Sequence, residues 1–110
     1  MVSLKRWSDF KRVLDNGKKL DGKYVILYAL KTDQPFMRTG ILVGKRFANA
    51  VKRNRVKRLI REAFRLSSQE IQLKRSSGTD IVVIPRKKLL KAKSGDLVPE
   101  MKSLLKKAVK

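Results

Sequence analysis

From Tyr24 to Leu30 the chain reads Tyr-Val-Ile-Leu-Tyr-Ala-Leu, apolar at every position and rich in β-branched and aromatic residues. Such a run predicts a strand covered at least in part on both faces. Its period of two puts Tyr24, Ile26, Tyr28 and Leu30 on one face and Val25, Leu27 and Ala29 on the other. Lys18 to Asp21 predicts a shorter strand before it, with Asp21-Gly22 as the turn. Beyond a loop holding Asp33 and Pro35, Thr39 to Val43 predicts the next strand, with Gly40 and Gly44 bracketing its apolar centre. Asp80 to Ile84 predicts a short, fully buried strand stopped by Pro85.

Three stretches change the period to that of a helix. Phe10, Val13 and Leu14 recur at i, i+3, i+4, predicting a short helix over Ser8–Leu14 with Ser8 as cap, Asp9 in the first turn and Gly17 at the exit. Val56, Leu59, Ile60 and Ala63, with Phe64 beside them, form one stripe of a helix over Ala50–Arg65. Leu97, Met101, Leu104, Leu105 and Ala108 form another, with Pro99 and Glu100 in its first turn and Lys residues crowding its end. Ser67 to Thr79 is polar and is expected to be a mobile loop, and Arg86 to Lys93 a basic, exposed stretch. No internal repeat is visible, and the 110 residues suit one domain, 1–110, with one modest core. The order helix, strands, helix, strand, helix predicts an α/β sandwich of the α+β kind.

Charge gives this architecture a direction. There are 29 Lys and Arg against 9 Asp and Glu, a formal net charge of +20. A compact domain with that excess expects a polyanion as partner, nucleic acid first and an anionic membrane surface second. With no Cys there is neither a disulfide nor a thiolate metal site, and with no His the usual general base and zinc ligand are missing. The first ten residues carry no apolar run behind their charges, unlike a signal peptide, and no stretch approaches the ~18 apolar residues of a membrane span. A soluble, intracellular nucleic-acid-binding domain is therefore expected.

The excess is concentrated. Lys45 to Arg65 holds nine basic residues and one acid, Glu62, in twenty-one positions. On the helix, the side opposite the apolar stripe carries Asn54, Arg58, Arg61 and Arg65, with Lys57 at its edge and Arg55 on the other flank. Lys52 and Arg53 turn towards the core side at the helix start and are expected to reach past the sheet towards a ligand, with Asn49 as cap. A solvated face normally mixes signs to gain i,i+4 pairs, and solubility alone would be served by Lys. Between Lys52 and Arg65, however, Arg outnumbers Lys five to two, and the planar guanidinium fork suits phosphate. Phe10, Tyr24 and Tyr28 offer stacking faces for single-stranded bases, although composition alone does not separate RNA from DNA.

Asn49-Ala50-Val51, Arg53-Asn54-Arg55, Lys57-Arg58 and Arg61, preceded by Gly44-Lys45-Arg46, resemble the RNR motif of the bacterial ribonuclease P protein subunit. Ser8-Asp9-Phe10 with Val13-Leu14 and Gly17, the strands at 24–30 and 40–46, Asp80 to Pro85 and the final helix resemble that family's other elements, so the likeness covers nearly the whole chain. It implies the order α-β-β-β-α-β-α, a mixed sheet and a left-handed βαβ crossover, the ribosomal S5 domain 2-like fold. It also implies a function. The protein would be the non-catalytic subunit of an endoribonuclease that removes the 5′ leader from precursor tRNA, with catalysis carried by the RNA subunit and Mg2+ held mainly by that RNA. On this resemblance Lys45, Arg46, Asn49, Arg53, Asn54, Arg55, Lys57, Arg58 and Arg61 bind the catalytic RNA. Phe10, Leu14 and Tyr28 line a cleft for the single-stranded leader. The resemblance implies a bacterial cytoplasmic location, no membrane, no small-molecule substrate, no catalytic residue and no metal of the protein's own. Two positions depart from the family pattern: Ala48 where Gly is frequent, and Leu14 where Phe is common, which turns one stacking face into an apolar wall.

Other readings fit the charge. The nine acids are scattered without a recognisable motif, so a protein nuclease with its own dyad or metal cluster is not indicated, and the protein alone is expected to cleave nothing. A non-enzymatic RNA-binding module of ribosomal-protein type would have no reason to prefer precursor over mature tRNA. A DNA-packaging protein would bind any duplex alike, and a membrane-surface helix would not surrender its apolar side to a sheet.

Overall fold

The computed structural model describes residues 2–70 and 78–109. Their elements are β1 (Val2–Ser3), α1 (Trp7–Asn16), β2 (Lys18–Asp21), β3 (Val25–Lys31), β4 (Met37–Ile41), α2 (Ala50–Glu70), β5 (Thr79–Pro85), a 3₁₀ turn at Lys87–Lys91 and α3 (Ser94–Ala108). From α1 onward this is the order helix, three strands, helix, strand, helix, on an α+β frame.

The strands form one mixed sheet in the order β1-β4-β5-β3-β2. β2 and β3 are an antiparallel hairpin, β3 runs antiparallel to β5, and β4 runs parallel to β5 through the crossover helix α2. Val25, Leu27 and Ala29 are buried beneath α2 and α3 together with Ile81 and Val83. Ile60, 1% exposed, and Val56 and Ala63, fully buried, supply the α2 side of that core. Each fully buried aliphatic side chain of the size of Val or Ile contributes roughly 1.5–3 kcal/mol. Among the described residues α1 is the helix that covers the opposite face, and there Leu4, Val13 and Val82 form a smaller cluster. One ten-residue helix cannot roof a five-stranded sheet, so Ile26, Tyr28 and Leu30 stay half-buried.

Several boundaries differ from the sequence reading. β1 is too short to carry a pattern, and it exists because β4 offers it an edge, Val2 opposite Arg38 and Ser3 opposite Thr39. β4 starts two residues earlier than Thr39 because Met37 pairs with Thr79 at the start of β5, and the chain leaves the sheet after Ile41. α1 begins at Trp7 with Arg6 as its cap residue, so Ser8 lies inside the first turn and makes no cap. Gly17 ends α1 with φ −80°; it is needed for closeness, since a Cβ there would stand 2.5 Å from the Val13 carbonyl oxygen.

Ser67 to Glu70, expected in the loop, continue α2. Ser67 is buried and donates to the Val98 carbonyl at 3.3 Å, and Ser68 donates back to Phe64 at 2.8 Å. The rest of that expected loop, 71–77, lies outside the described residues, and Thr79 already belongs to β5. The stretch Arg86–Lys93 is no exposed tail: Leu89 and Ala92 are buried, and Arg86 ties the β2–β3 turn through Gly22 O (2.9 Å) and the Asp21 carboxylate (2.8 Å). α3 starts at Ser94, where the Asp96 carboxylate accepts the Lys93 N–H at 2.9 Å, so Pro99 falls in the second turn. From α3 the Glu100 carboxylate accepts the backbone N–H groups of Lys23 (2.6 Å), Tyr24 (2.9 Å) and Val25 (3.1 Å), anchoring the hairpin.

Candidate nucleic-acid interface

The loop from Gly44 to Asn49 delivers the chain from β4 into α2. Asn49 caps the helix as expected, its Oδ1 accepting the Lys52 N–H at 2.9 Å. Arg53 turns back and donates to the carbonyls of Ala48 (2.8 Å) and Lys45 (3.3 Å). The expectation that Arg53 reaches past the sheet is thus corrected: its Nη1 turns back to hold the loop, because the carbonyls of a tight turn need donors. Lys87 stacks over the Phe47 ring at 5.0 Å and donates to the Phe47 carbonyl, bracing the same loop from the other side. Arg55 is also spent internally, on the carbonyls of Leu90 (2.9 Å) and Ala92 (2.7 Å), which fastens the 3₁₀ turn to α2.

The remaining cations of the segment are unspent. Among the described residues, the side chains of Lys45, Arg46, Lys52, Lys57, Arg58 and Arg61 make no ion pair or hydrogen bond, and none but Lys57 is even half-buried. Arg65 differs. It pairs with Glu62 at 2.5 Å, a hydrogen bond that holds the Glu62 carboxyl below its ordinary range and raises the Arg65 guanidinium. Asn54 is exposed on the same side as Arg58.

On the other face, Phe10, Leu14 and Tyr28 are partly buried and pack against the cluster of Leu4, Val13 and Val82. Tyr24 does not join them. It lies ahead of β3, packs against the α2–α3 core and carries Lys23 over its ring at 5.2 Å. Phe10 seats on bare backbone: a Cβ on Gly40 would stand 2.5 Å from the ring carbons Cε1 and Cζ.

The two faces meet at the β1–β4 edge. There a cavity of about 180 Å³ is lined by Phe10, Gly40 and Ile41 together with Lys57 and Arg61 of α2. A larger groove of about 600 Å³ runs on along α2 past Arg58, Arg61, Arg65 and Met37. Helical spacing alone placed Lys57 and Arg61 on the outer side of α2; only the sheet edge shows that they border an aromatic of α1.

α1 is held over the sheet by ions that sequence reasoning treated as scattered. Asp80, fully buried at the start of β5, accepts from Arg38 at 2.9 and 2.6 Å and from Arg12 at 3.0 Å. Arg12 also pairs with Asp9 at 3.1 Å. The Asp80 hydrogen bond raises the Arg38 guanidinium above its ordinary value. A lone acid beginning an apolar strand was the available signal. Trp7 was likewise passed over, although its i, i+3 spacing to Phe10 was legible; its ring lies stacked against Phe10, centroids 6.5 Å apart and planes at 16°. Among the described residues no three His, Cys, Asp or Glu gather into a group that could hold a metal ion, and no helix is long and apolar enough to cross a membrane.

An α+β sandwich whose crossover helix carries a row of unspent cations defines a polyanion-binding class of protein. Comparison narrows the class. Residues 1–109 match the family described as Ribonuclease P. The ribonuclease P protein component of Clostridioides difficile (strain 630) is 41% identical over 104 residues, covering 94% of this chain and 89% of the relative. That of Thermoanaerobacter sp. (strain X514) is 36% identical over 107 residues, covering 97% and 89%. Among solved structures, the RNase P protein of Staphylococcus aureus superimposes with a TM-score of 0.81 at 27% identity, over 100% of this chain and 99% of that one. The RNase P protein from Thermotoga maritima superimposes with a TM-score of 0.81 at 33% identity, over 97% of each chain. The chain belongs to the ribonuclease P protein family, and is thus a subunit of ribonuclease P.

Proposed function

We propose that this protein, acting as one domain in the bacterial cytoplasm, binds the catalytic RNA of ribonuclease P through α2 and its leading loop, and the single-stranded 5′ leader of precursor tRNA in the cleft under α1. The observation that carries the reading is the β1–β4 edge, where the unspent cations Lys57 and Arg61 share a cavity with Phe10. A strand of RNA lying there has its phosphates beside guanidinium and ammonium groups and a base against an aromatic wall. Lys45, Arg46, Asn54, Lys57, Arg58 and Arg61 contact the catalytic RNA directly, whereas Asn49, Arg53 and Arg55 act by shaping the loop and turn around it. Phe10, Leu14 and Tyr28 form the leader cleft.

The chemistry belongs to the RNA in this reading, with Mg2+ held mainly by the RNA. The protein's own residues screen phosphate repulsion and orient the leader, which lowers the ordering cost of bringing the scissile bond to the active centre. The test is leader removal from a precursor tRNA at low magnesium by a bacterial ribonuclease P RNA, with and without the protein, and by the protein alone. Stimulation only when both are present is expected. RNA binding without stimulation would instead indicate a plain RNA-binding module of ribosomal-protein type.

A further inference from the structure

The sequence contains one tryptophan, and the structure leaves it 60% exposed. Exposure alone would be ordinary for a single surface side chain; the surroundings of this one are what set it apart. Trp7 is also oriented. Its ring lies within 16° of parallel to Phe10 at 6.5 Å between centroids, the offset arrangement aromatic pairs prefer. Phe10 in turn forms part of the cavity that Lys57 and Arg61 border. A second hollow of about 430 Å³, sharing Ser3 with the first, is lined by Lys5, Arg6, Phe36 and Arg38 and by Asp9, whose carboxylate is paired with Arg12 and Arg38. Lys5 and Arg6 are exposed and, among the described residues, make no side-chain hydrogen bond or ion pair.

We propose that Trp7 is a stacking platform for a further nucleotide of single-stranded RNA, one that lies beyond the nucleotide at Phe10, with Lys5 and Arg6 holding its phosphates. The inference rests on the leader-cleft reading above and extends it at its outer end. Stacking fits better than a protein contact because Lys5 and Arg6 beside it have no acid partner, the Asp9 carboxylate nearby is already neutralised by Arg12 and Arg38, and a π-face accepts any base. Phe10 fixes the indole from behind, so little freedom is lost when a base covers its open face.

The test uses the reconstituted holoenzyme and precursor tRNAs whose leaders are lengthened one nucleotide at a time. Affinity is measured for the wild type and for Trp7→Ala, Trp7→Leu and Phe10→Ala. Trp7→Ala and Trp7→Leu should each weaken binding about fivefold, the low end for loss of one stacked base, but only once the leader passes the length that reaches Phe10. Because Trp7 is the only tryptophan, its emission reports this site alone. Quenching is expected with long-leader substrate and none with mature tRNA. If Trp7→Ala matches the wild type at every length while Phe10→Ala loses affinity, the cleft stands and the platform is overturned. If Trp7→Leu binds as the wild type does, the contact is apolar packing and stacking is refuted. If Phe10→Ala is also without effect, the leader-cleft reading fails and takes this one with it.

Discussion

Arg55 donates to the carbonyl of Ala92 at 2.7 Å, across the gap between α2 and the turn that leads into α3. A residue in the middle of the basic motif thus works inside the fold, with a second bond to Leu90 at 2.9 Å, while Arg58, one turn on, is exposed and unspent. Arg55→Ala is expected to destabilise by about 1–3 kcal/mol, since two buried-side carbonyls lose a charged donor. Arg58→Ala should leave urea unfolding within about 0.5 kcal/mol of the wild type yet weaken binding to the catalytic RNA. Unfolding and RNA-binding titrations on both variants separate the two roles; equal stability losses would refute the division.

Gly40 and Phe10 make a second testable pair. A methyl group on Gly40 would meet the Phe10 ring at 2.5 Å, so Gly40→Ala must push the ring outward. The expected outcome is lost discrimination between precursor and mature tRNA with affinity for the catalytic RNA retained. Competition binding with the two tRNAs checks it.

Asp80→Ala would strand Arg38, which is 17% exposed, beside Arg12 without their shared carboxylate. Breaking a buried pair by removing one partner costs roughly 3–5 kcal/mol, and urea unfolding would show it. The pH behaviour follows from sign. Arg38 is raised in the folded protein, so its contribution is complete below its unfolded value and fades only as pH climbs through the higher folded one. Stability should therefore not decline on the Arg38 account between about pH 6 and 9. A fall in that window that disappears in Arg38→Met would contradict this.

The six unspent cations Lys45, Arg46, Lys52, Lys57, Arg58 and Arg61 set a salt dependence. If each displaces a counterion from RNA, log affinity should fall with log salt at a slope of roughly −4 to −5. A salt titration of binding to the catalytic RNA measures it directly, and a slope near zero would remove the electrostatic account.

Much of the fold was legible because its signals are local. The apolar run of β3, the stripe Val56–Ile60–Ala63 and the stripe of α3 each announce a period, and each stripe found a core. What escaped was set by partners distant in sequence. β1 needs the β4 edge, the start of β4 needs Thr79, and the turn at Lys87–Lys91 needs Arg55. At the site, the cationic side of α2 could be read from spacing, but which cations remain free could not. Arg53 and Arg55 look the same as Arg58 and Arg61 until carbonyls come within reach of the first two.

The sequence by itself determined the sign of the partner, the number of helices and the helix that carries the charge, because net charge and periodicity are sums over neighbouring residues. The tertiary structure alone decided that Lys57 and Arg61 border Phe10, that Asp80 serves two arginines and that Glu100 anchors the β2–β3 turn. Those are meetings of side chains from separate elements. The packing of α1 and α2 on opposite faces of one sheet creates them, and no local pattern encodes them.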